Sequence, residues 1–377
     1  MGNKLVNVGI IGGGLMGKES ASAFARWFVF SNLAVKPVLV SVCDVNESVL
    51  DWYRDVDTVQ EFTTDYRVLL KNPSIDVVYI AVPHHLHEMI YIEALESGKD
   101  LLAEKPFGMD LDSCKRILEK VNTTGRFVRC SSEFPFLPGA QKIMNYVQST
   151  DLGKILEIKS GFLHSSDLNE SKPINWKRMV KFCGEIGVMG DLGMHAVHLP
   201  FRLGFVPLTV SAILQNIVKE RKNAENVLEP CDTWDNATLQ TTVDHSGEVF
   251  PMTIEMKRIA PSETNTWYFE LLGTRGGIKY STKEPKTLWT FEYNDGVQYW
   301  KKQDLGFESV LPTITGAIFE PGFPDCFMQM LGCYFAEREG VLNERFYCAT
   351  PEEALTAHKL FDSSLKSHKQ KSVAAIN

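Results

Sequence analysis

Asp191, His195 and His198 are residues whose types and spacing suit proton transfer. They follow one another at intervals of four and three residues, so a helix would place them on one face. A histidine titrates near neutral pH and can take a proton from an alcohol, and a neighbouring carboxylate can orient it. The same spacing also fits a zinc site or an ordinary hydrogen-bonded polar face, and spacing alone leaves the three interpretations open.

A glycine-rich segment near the N-terminus has the pattern G-x-G-x-x-G. Its residues are Gly12, Gly13, Gly14, Leu15, Met16 and Gly17. The segment follows an apolar strand and opens a helix, the context in which this pattern predicts a dinucleotide site. Gly12 permits the tight turn, Gly14 lets the backbone approach a pyrophosphate, and Gly17 allows the helix and strand to pack closely. A glycine turn without a ligand is the alternative.

Two further segments carry charged residues at the ends of predicted strands. Asp44 ends the second strand, where a carboxylate accepts hydrogen bonds from ribose hydroxyls and repels a 2′-phosphate, which favours NAD over NADP. Asp44 could also N-cap the following helix. Glu104, Lys105 and Pro106 end a later strand, at the edge where open parallel sheets bind ligands. The lysine could reach a substrate oxygen there, or the segment could be a surface ion pair.

The elements that position these residues alternate between strand and helix over the first 130 residues. This alternation predicts a doubly wound parallel α/β sheet. The predicted strands are Leu5–Ile11, Val38–Cys43, Val77–Val82, Leu101–Ala103 and Phe127–Ser131. The predicted helices are Gly14–Phe30, Glu47–Tyr53, Tyr66–Leu70, His87–Glu96 and Leu111–Val121. Prolines and a glycine in Phe134–Gly139 break the pattern, which predicts domains at 1–132 and 133–377.

The second half has mainly strands separated by turn residues, which predicts an α+β domain with a mainly antiparallel mixed sheet. The predicted strands are Ile155–Leu163, Val206–Val218, Ala237–Val243, Phe250–Arg258, Trp267–Leu272, Gly277–Tyr280 and Leu288–Tyr293. The predicted helices are Ala140–Gln148, one near Gly190–Leu203, and Pro351–Lys366. Thr350 and Glu353 form a capping box for the last of these helices.

Composition excludes several classes of protein. The 377 residues have a formal net charge of −8 and no basic tail, which argues against a nucleic-acid partner. No apolar run reaches membrane-spanning length. The eight cysteines are scattered without a C-x-x-C pair, which predicts free thiols in a reducing compartment, and we therefore expect a cytoplasmic protein.

Taken in order, these motifs resemble the Gfo/Idh/MocA oxidoreductases, which include glucose–fructose oxidoreductase and inositol dehydrogenase. The glycine turn, Asp44, the Glu104–Pro106 segment and the Asp191–His195 pair carry the resemblance. The supporting segments are Val82–His87, Leu152–Ile155, Trp176–Lys177 and Gly273–Gly277. The resemblance implies a Rossmann domain and a second α/β domain whose open sheet mediates homodimers or homotetramers. It also implies chemistry without a metal.

Carried over by position, the resemblance implies a catalytic trio of Lys105, Asp191 and His195. Lys105 would hydrogen-bond the reacting hydroxyl, His195 would be the general base during oxidation, and Asp191 would orient the substrate or the histidine. The implied cofactor-binding positions are the glycine turn, Asp44, Val82, Pro83, His87, Glu104, Lys105, Trp176 and Lys177. Glu133 and His198 stand where substrate-facing residues usually lie, but their types depart from those common in the family.

The expected function is therefore NAD-dependent hydride transfer to or from a secondary hydroxyl of a sugar, glycoside or cyclic polyol. A second expectation is NAD-dependent glycoside cleavage through transient oxidation and elimination. A third, from a different class, is a non-catalytic sugar or NAD sensor, although such sensors tend to lose the lysine or the histidine that this chain keeps.

Overall fold

The computed structural model describes residues 4–306, 309–316 and 321–377. In chain order the strands are β1 Lys4–Ile11, β2 Val35–Cys43, β3 Glu61–Thr63, β4 Val77–Ile80, β5 Asp100–Ala103, β6 Val128–Cys130, β7 Ile155–Leu163, β8 Pro207–Gln215, β9 Glu220–Lys222, β10 Leu228–Pro230, β11 Asn236–His245, β12 Glu248–Lys257, β13 Thr266–Gly273, β14 Gly276–Ser281, β15 Thr287–Asn294, β16 Val297–Asp304 and β17 Ala374–Ala375. The α-helices are α1 Leu15–Ala25, α2 Glu47–Leu50, α3 Tyr66–Lys71, α4 His87–Glu96, α5 Leu111–Thr124, α6 Pro138–Ser149, α7 Val180–Cys183, α8 Val188–Arg202, α9 Phe323–Arg338 and α10 Pro351–Gln370.

The chain divides into two compact units. The first consists of residues 1–108, 112–136 and 308–355, and the second of residues 109–111, 137–307 and 356–377. The first unit therefore includes a C-terminal segment from beyond the predicted boundary at residue 132.

The first unit has a six-stranded parallel sheet in the order β3-β2-β1-β4-β5-β6, which confirms the predicted α/β fold. All four residues of β4 are buried, as expected of a strand covered on both faces. The chain order reverses between β1 and β4, and in such sheets ligands bind beside that point, at the carboxyl ends of the strands. The edge strand β3 was not predicted, because three residues carry too little pattern.

Helix α9 completes the first unit and was also not predicted. Every residue from Cys326 to Ala336 is buried, so the helix has no polar face in this stretch and no amphipathic period to detect. The Phe335 ring lies edge-on to Phe24 and Trp27, with centroid distances of 6.1 and 5.6 Å. The helix thus packs into the same core as α1.

The second unit has a nine-stranded mixed sheet in the order β16-β15-β14-β13-β7-β12-β11-β8-β17. Only the pair β7 and β12 is parallel among the described pairings of this sheet, which confirms the prediction of a mainly antiparallel sheet. Ser246 and Gly247 have positive φ in the β11–β12 turn, as the predicted hairpin requires. The short strands β9 and β10 were not predicted.

Helix α8 covers one face of this sheet, against β7 and β12, and its residues 188–201 are all buried. Gly193 permits this packing, since a Cβ there would lie 2.2 Å from the ring of Phe361. The opposite face carries partly exposed polar and charged side chains. Lys159 contacts Glu157 and Glu270 on this face, at 2.9 and 3.4 Å.

Two supporting segments of the sequence resemblance hold each other in place within the second unit. The Thr274 hydroxyl accepts a hydrogen bond from the Lys154 backbone at 3.0 Å, and the Arg275 backbone donates to Leu152 at 3.0 Å. A Cβ at Gly153 would lie 2.2 Å from the Thr274 hydroxyl. These segments therefore have a structural role in this chain.

All eight cysteines are free and buried, as predicted. None of the helices described in the structure combines the length and apolar character needed to cross a membrane.

Candidate active site

The glycine turn of the first unit is shaped to admit a ligand. Gly12 has a φ of +97°, and a Cβ there would lie 2.4 Å from the carbonyl oxygen of Ala81. A Cβ on Gly17 would lie 2.4 Å from the carbonyl oxygen of Gly12. At Gly14, by contrast, the Cβ position has no neighbour within 4 Å. The turn is therefore closed on the protein side and open at the N-terminus of α1, where backbone N–H groups attract phosphate.

Asp44 is fixed beside this turn at the carboxyl end of β2. Its carboxylate accepts hydrogen bonds from the backbone N–H groups of Gly13 at 2.8 Å and Asn46 at 2.9 Å. Asn46, whose side chain accepts from Ser48, is the N-cap of α2, so the alternative that Asp44 caps this helix is wrong. Asp44 stays half-buried, in the position predicted for a contact to ribose hydroxyls.

Tyr53 supports the turn and was missed in the sequence. Its side chain is buried and its hydroxyl donates to the Gly13 carbonyl at 3.1 Å. An aromatic hydroxyl in a short helix gives no sequence signal for this contact, which depends on tertiary packing.

Lys105 follows β5 and joins Pro106 through a cis peptide bond. The preceding Glu104 is buried, and its carboxylate accepts from the Tyr79 hydroxyl at 2.6 Å and from the Lys105 backbone at 3.3 Å. The Tyr91 hydroxyl donates to the Glu104 carbonyl at 2.8 Å. Two buried tyrosines therefore fix the backbone that carries Lys105.

His87 links the loops after β4 and β5. Its ring is fully buried, with Nδ1 2.8 Å from the Pro106 carbonyl oxygen and Nε2 2.9 Å from that of Val82. Burial is the main cause that lowers the pKa of His87 to about 4, so it is neutral at pH 7. His87 holds Val82 and its neighbour Pro83 near the Lys105 loop, and a direct contact of these three residues with the cofactor stays a prediction.

Glu133 is a second buried carboxyl group of the first unit. Burial, and then the negative charge of Glu104, raises its pKa to about 7, while the positive charge of Lys105 opposes the shift. The structure therefore brings Glu104, Lys105 and Glu133 together within the first unit. A carboxyl group that titrates near neutral pH in such a cluster is typical of functional sites.

In the second unit, Asp191 lies in the first turn of α8 and is buried. Its Oδ1 accepts from the Lys177 amino group at 2.8 Å, and its Oδ2 accepts from Arg258 Nε at 3.3 Å. Arg258 was not predicted as a site residue, because it lies 67 residues further along the chain with no motif around it. Two cations thus hold Asp191.

His195 lies one turn after Asp191 on α8 and is buried. Its ring packs edge-on against Phe162, with centroids 5.2 Å apart, and its backbone carbonyl accepts from the Trp267 indole at 2.7 Å. These contacts from β7 and β13 fix the helical turn and the plane of the imidazole, which a proton-transfer residue requires.

His198 and Trp176 complete the predicted positions in this unit. Arg202 Nη2 lies 3.1 Å from His198 Nε2, and His198 is fully buried. Trp176 lies in a short 3₁₀ helix capped by Asn175, with the Lys177 amino group 5.6 Å from its ring centroid. Among the residues that the structure describes, no group of three His, Cys, Asp or Glu side chains could hold a metal ion.

Comparison with known proteins finds a family model that matches part of the chain. Residues 6–132 match the GFO_IDH_MocA model, described as an oxidoreductase family with an NAD-binding Rossmann fold. The first unit thus contains a segment that matches the Gfo/Idh/MocA family model. The family match covers the glycine turn, Asp44 and Lys105, and it supports NAD as the cofactor of this unit.

Relatives extend the likeness into the second unit. Levoglucosan dehydrogenase of Pseudarthrobacter phenanthrenivorans is 26% identical over 287 residues, which is 73% of each chain. Glucose-6-phosphate 3-dehydrogenase of Bacillus subtilis is 22% identical and covers 74% of this chain and 75% of its own. A solved levoglucosan dehydrogenase in complex with NADH and L-sorbose has a TM-score of 0.86 at 22% identity over 99% of both chains, which shows the fold.

Proposed function

We propose that this protein transfers a hydride between NAD and a secondary hydroxyl or ketone of a sugar, glycoside or cyclic polyol. The observation that carries the proposal is that the chain has Lys105, Asp191 and His195, each fixed by buried contacts, while relatives matched over about three quarters of both chains are named as sugar dehydrogenases. Hydrogen-bonded and buried reactive groups are what a preorganised active site requires.

The residues of the first unit fit the cofactor. The open N-terminus of α1 at Gly14 would hold the pyrophosphate, and Asp44 would accept the ribose hydroxyls. Tyr53 keeps the turn in shape by its bond to Gly13. When bound, NAD supplies the hydride acceptor for oxidation of the carbinol carbon.

Lys105 and His195 have separate tasks in the proposal. The Lys105 amino group would donate a hydrogen bond to the reacting oxygen and stabilise the negative charge that develops on it. His195 would take the hydroxyl proton during oxidation and return it in the reverse direction. Asp191, held by Lys177 and Arg258, would accept a hydrogen bond from the substrate.

The substrate is proposed to be neutral and rich in hydroxyl groups. Glu133 and Asp191 would supply carboxyl groups that suit hydroxyl donors and disfavour a substrate carboxylate. A panel of levoglucosan, inositols, methyl glycosides and free sugars, with NADH formation measured by absorbance, therefore tests the proposal directly. Aglycone release without net NADH would favour glycoside cleavage instead, and tight NAD binding without turnover would favour a sensor.

Lys105→Ala tests the residue assignment. Loss of a group that acts on the transition state lowers kcat/KM by about 10²- to 10⁴-fold, mainly through kcat. The matched control is Lys115→Ala, which removes an exposed lysine of the same unit that contacts only Asp112 among its described ion pairs. A loss below tenfold in Lys105→Ala contradicts the assigned role.

We also propose that the open face of the nine-stranded sheet mediates a homodimer or homotetramer. Its pairs of opposite charge, such as Lys257 with Glu255 along β12 and Lys159 with Glu270 between β7 and β13, lie partly exposed and can pair across an interface. Light scattering of the purified protein is expected to give a mass of two or four chains, and a monomer at micromolar concentration would contradict this.

A further inference from the structure

Arg258 directly follows β12 and is among the most buried charged side chains of the second unit. The residue is 1% exposed. Its backbone N–H donates to the Asp235 carbonyl at 3.0 Å, which fixes its position at the end of the strand. A buried guanidinium requires acceptors for its donors and a negative charge nearby, because the cost of removing it from water is several kcal/mol.

The guanidinium obtains its acceptors from the segments that surround Asp191. Nη1 donates to the carbonyl oxygens of Lys177 at 3.2 Å and Trp234 at 3.4 Å, and Nη2 donates to that of Gly187 at 3.5 Å. Gly187 is the N-cap residue of α8, the helix that carries both Asp191 and His195. Because the guanidinium is planar and rigid, these three carbonyls fix the direction in which Nε points.

Nε points at Asp191. It donates to Oδ2 at 3.3 Å, and both side chains are buried, with 1% and 8% of their surface exposed. The partner on the other oxygen differs, since the Lys177 amino group on Oδ1 belongs to a side chain that is 36% exposed. A lysine side chain is flexible and readily changes rotamer at such a position. The Arg258 guanidinium, held by three carbonyl oxygens, cannot change its orientation in this way.

We propose that Arg258 is the positioning residue of Asp191: it holds Oδ2 in place, so that Oδ1 is the oxygen that exchanges Lys177 for a substrate hydroxyl. The inference rests on the proposed function, since it assigns the working oxygen of a residue in that reaction. Arg258 belongs to none of the sequence motifs, and the proposal gives it a role in supporting the site.

The activity test compares two arginines of equal burial. Arg258→Lys keeps the positive charge but loses the planar guanidinium with its several N–H donors. The variant is expected to have a kcat/KM at least tenfold lower, mainly through kcat. Arg221→Lys is the matched control, because Arg221 is 2% exposed and donates to the carbonyls of the loop 167–172. It is expected to stay within threefold of the wild type. Equal losses in the two variants would overturn the proposal.

A double-mutant cycle separates positioning from general destabilisation. If Arg258 acts through the Asp191 carboxylate, Arg258→Lys has less than a twofold effect on kcat in an Asp191→Asn background. Multiplicative losses in the double variant would show that the two residues act independently and would overturn the proposal.

A crystal structure of the Lys177→Met variant tests the proposal without an activity measurement. Lys177 is partly exposed, so the fold is expected to tolerate this change. With Arg258 intact, the Asp191 carboxylate is expected to keep its place on Arg258 Nε. A carboxylate that turns away overturns the positioning role, even if no substrate has been found. Failure of the wild type to turn over any compound of the panel counts against the proposed function alone.

Discussion

The two units of the molecule hold their reactive residues by different means. In the first unit, neutral side chains fix the Lys105 loop, through the hydroxyls of Tyr79 and Tyr91 and the ring of His87. In the second unit, permanent charges fix Asp191, through Arg258 and Lys177. Asp167 forms a further buried ion pair there with Arg178 and accepts from Lys172 at 3.0 Å.

The difference predicts how each region responds to change. Burial shifts the pKa of titratable groups in the first unit, as the raised pKa of Glu133 and the lowered pKa of His87 show. An ion pair keeps its charge over the working pH range. Burial, and then the charge of Arg258, lowers the pKa of Arg178 only to about 9, so it remains protonated at neutral pH. Removal of one partner then leaves a buried charge behind.

Asp167→Asn is therefore expected to have the larger effect on stability. It leaves the buried Arg178 guanidinium without its carboxylate, and the loss of one partner of such a pair costs about 3–5 kcal/mol. The matched change in the first unit is Tyr91→Phe, which removes a neutral hydrogen bond from an equally buried side chain and costs about 1 kcal/mol. Equilibrium urea unfolding measures both, and equal costs would contradict the comparison.

Glu133→Gln is expected to change the free energy of unfolding by an amount that depends on pH. In the folded chain the carboxyl group keeps its proton up to about pH 7, whereas its ordinary pKa is 4.5. Between these values the folded state binds more protons than the unfolded state, so the free energy of unfolding falls as pH rises. The full difference is about 3 kcal/mol at 1.36 kcal/mol per pKa unit.

Stability curves of Glu133→Gln and the wild type should therefore diverge from pH 4.5 to pH 7, with the variant gaining relative stability, and run parallel above pH 7. The exposed Glu119→Gln serves as the control and should follow the wild type throughout. If the difference in the free energy of unfolding between Glu133→Gln and the wild type does not change with pH, the prediction is contradicted.

Most of the fold could be predicted from the sequence because its elements carry strong local patterns. The helix His87–Glu96 and the strand Ile155–Leu163 have their predicted bounds, since one follows a turn and the other alternates half-buried and buried residues from Glu157 to Ser160. Helix α9 escaped prediction because burial on every side removes periodicity. Its place in the first unit depends on contacts across more than 300 residues of chain, which no local pattern reports.

The candidate site was predictable where its residues stand in short motifs. Gly12, Asp44 and Lys105 lie at strand ends whose role follows from parallel sheets in general. Tyr53 and Arg258 could not be found in this way, because their contacts are to segments distant in the sequence. Supporting residues of this kind can be identified only from the three-dimensional structure.

The discontinuity of the first unit has a consequence for protein synthesis. Its core needs α9, yet that helix leaves the ribosome only after the whole nine-stranded sheet except β17 has been translated. Until then Phe24 and Trp27 lack the Phe335 ring that covers them, and the nascent nucleotide domain exposes an apolar groove. A fragment that ends at residue 136 would keep this groove open, so the domain that binds the cofactor cannot be excised by a single cut.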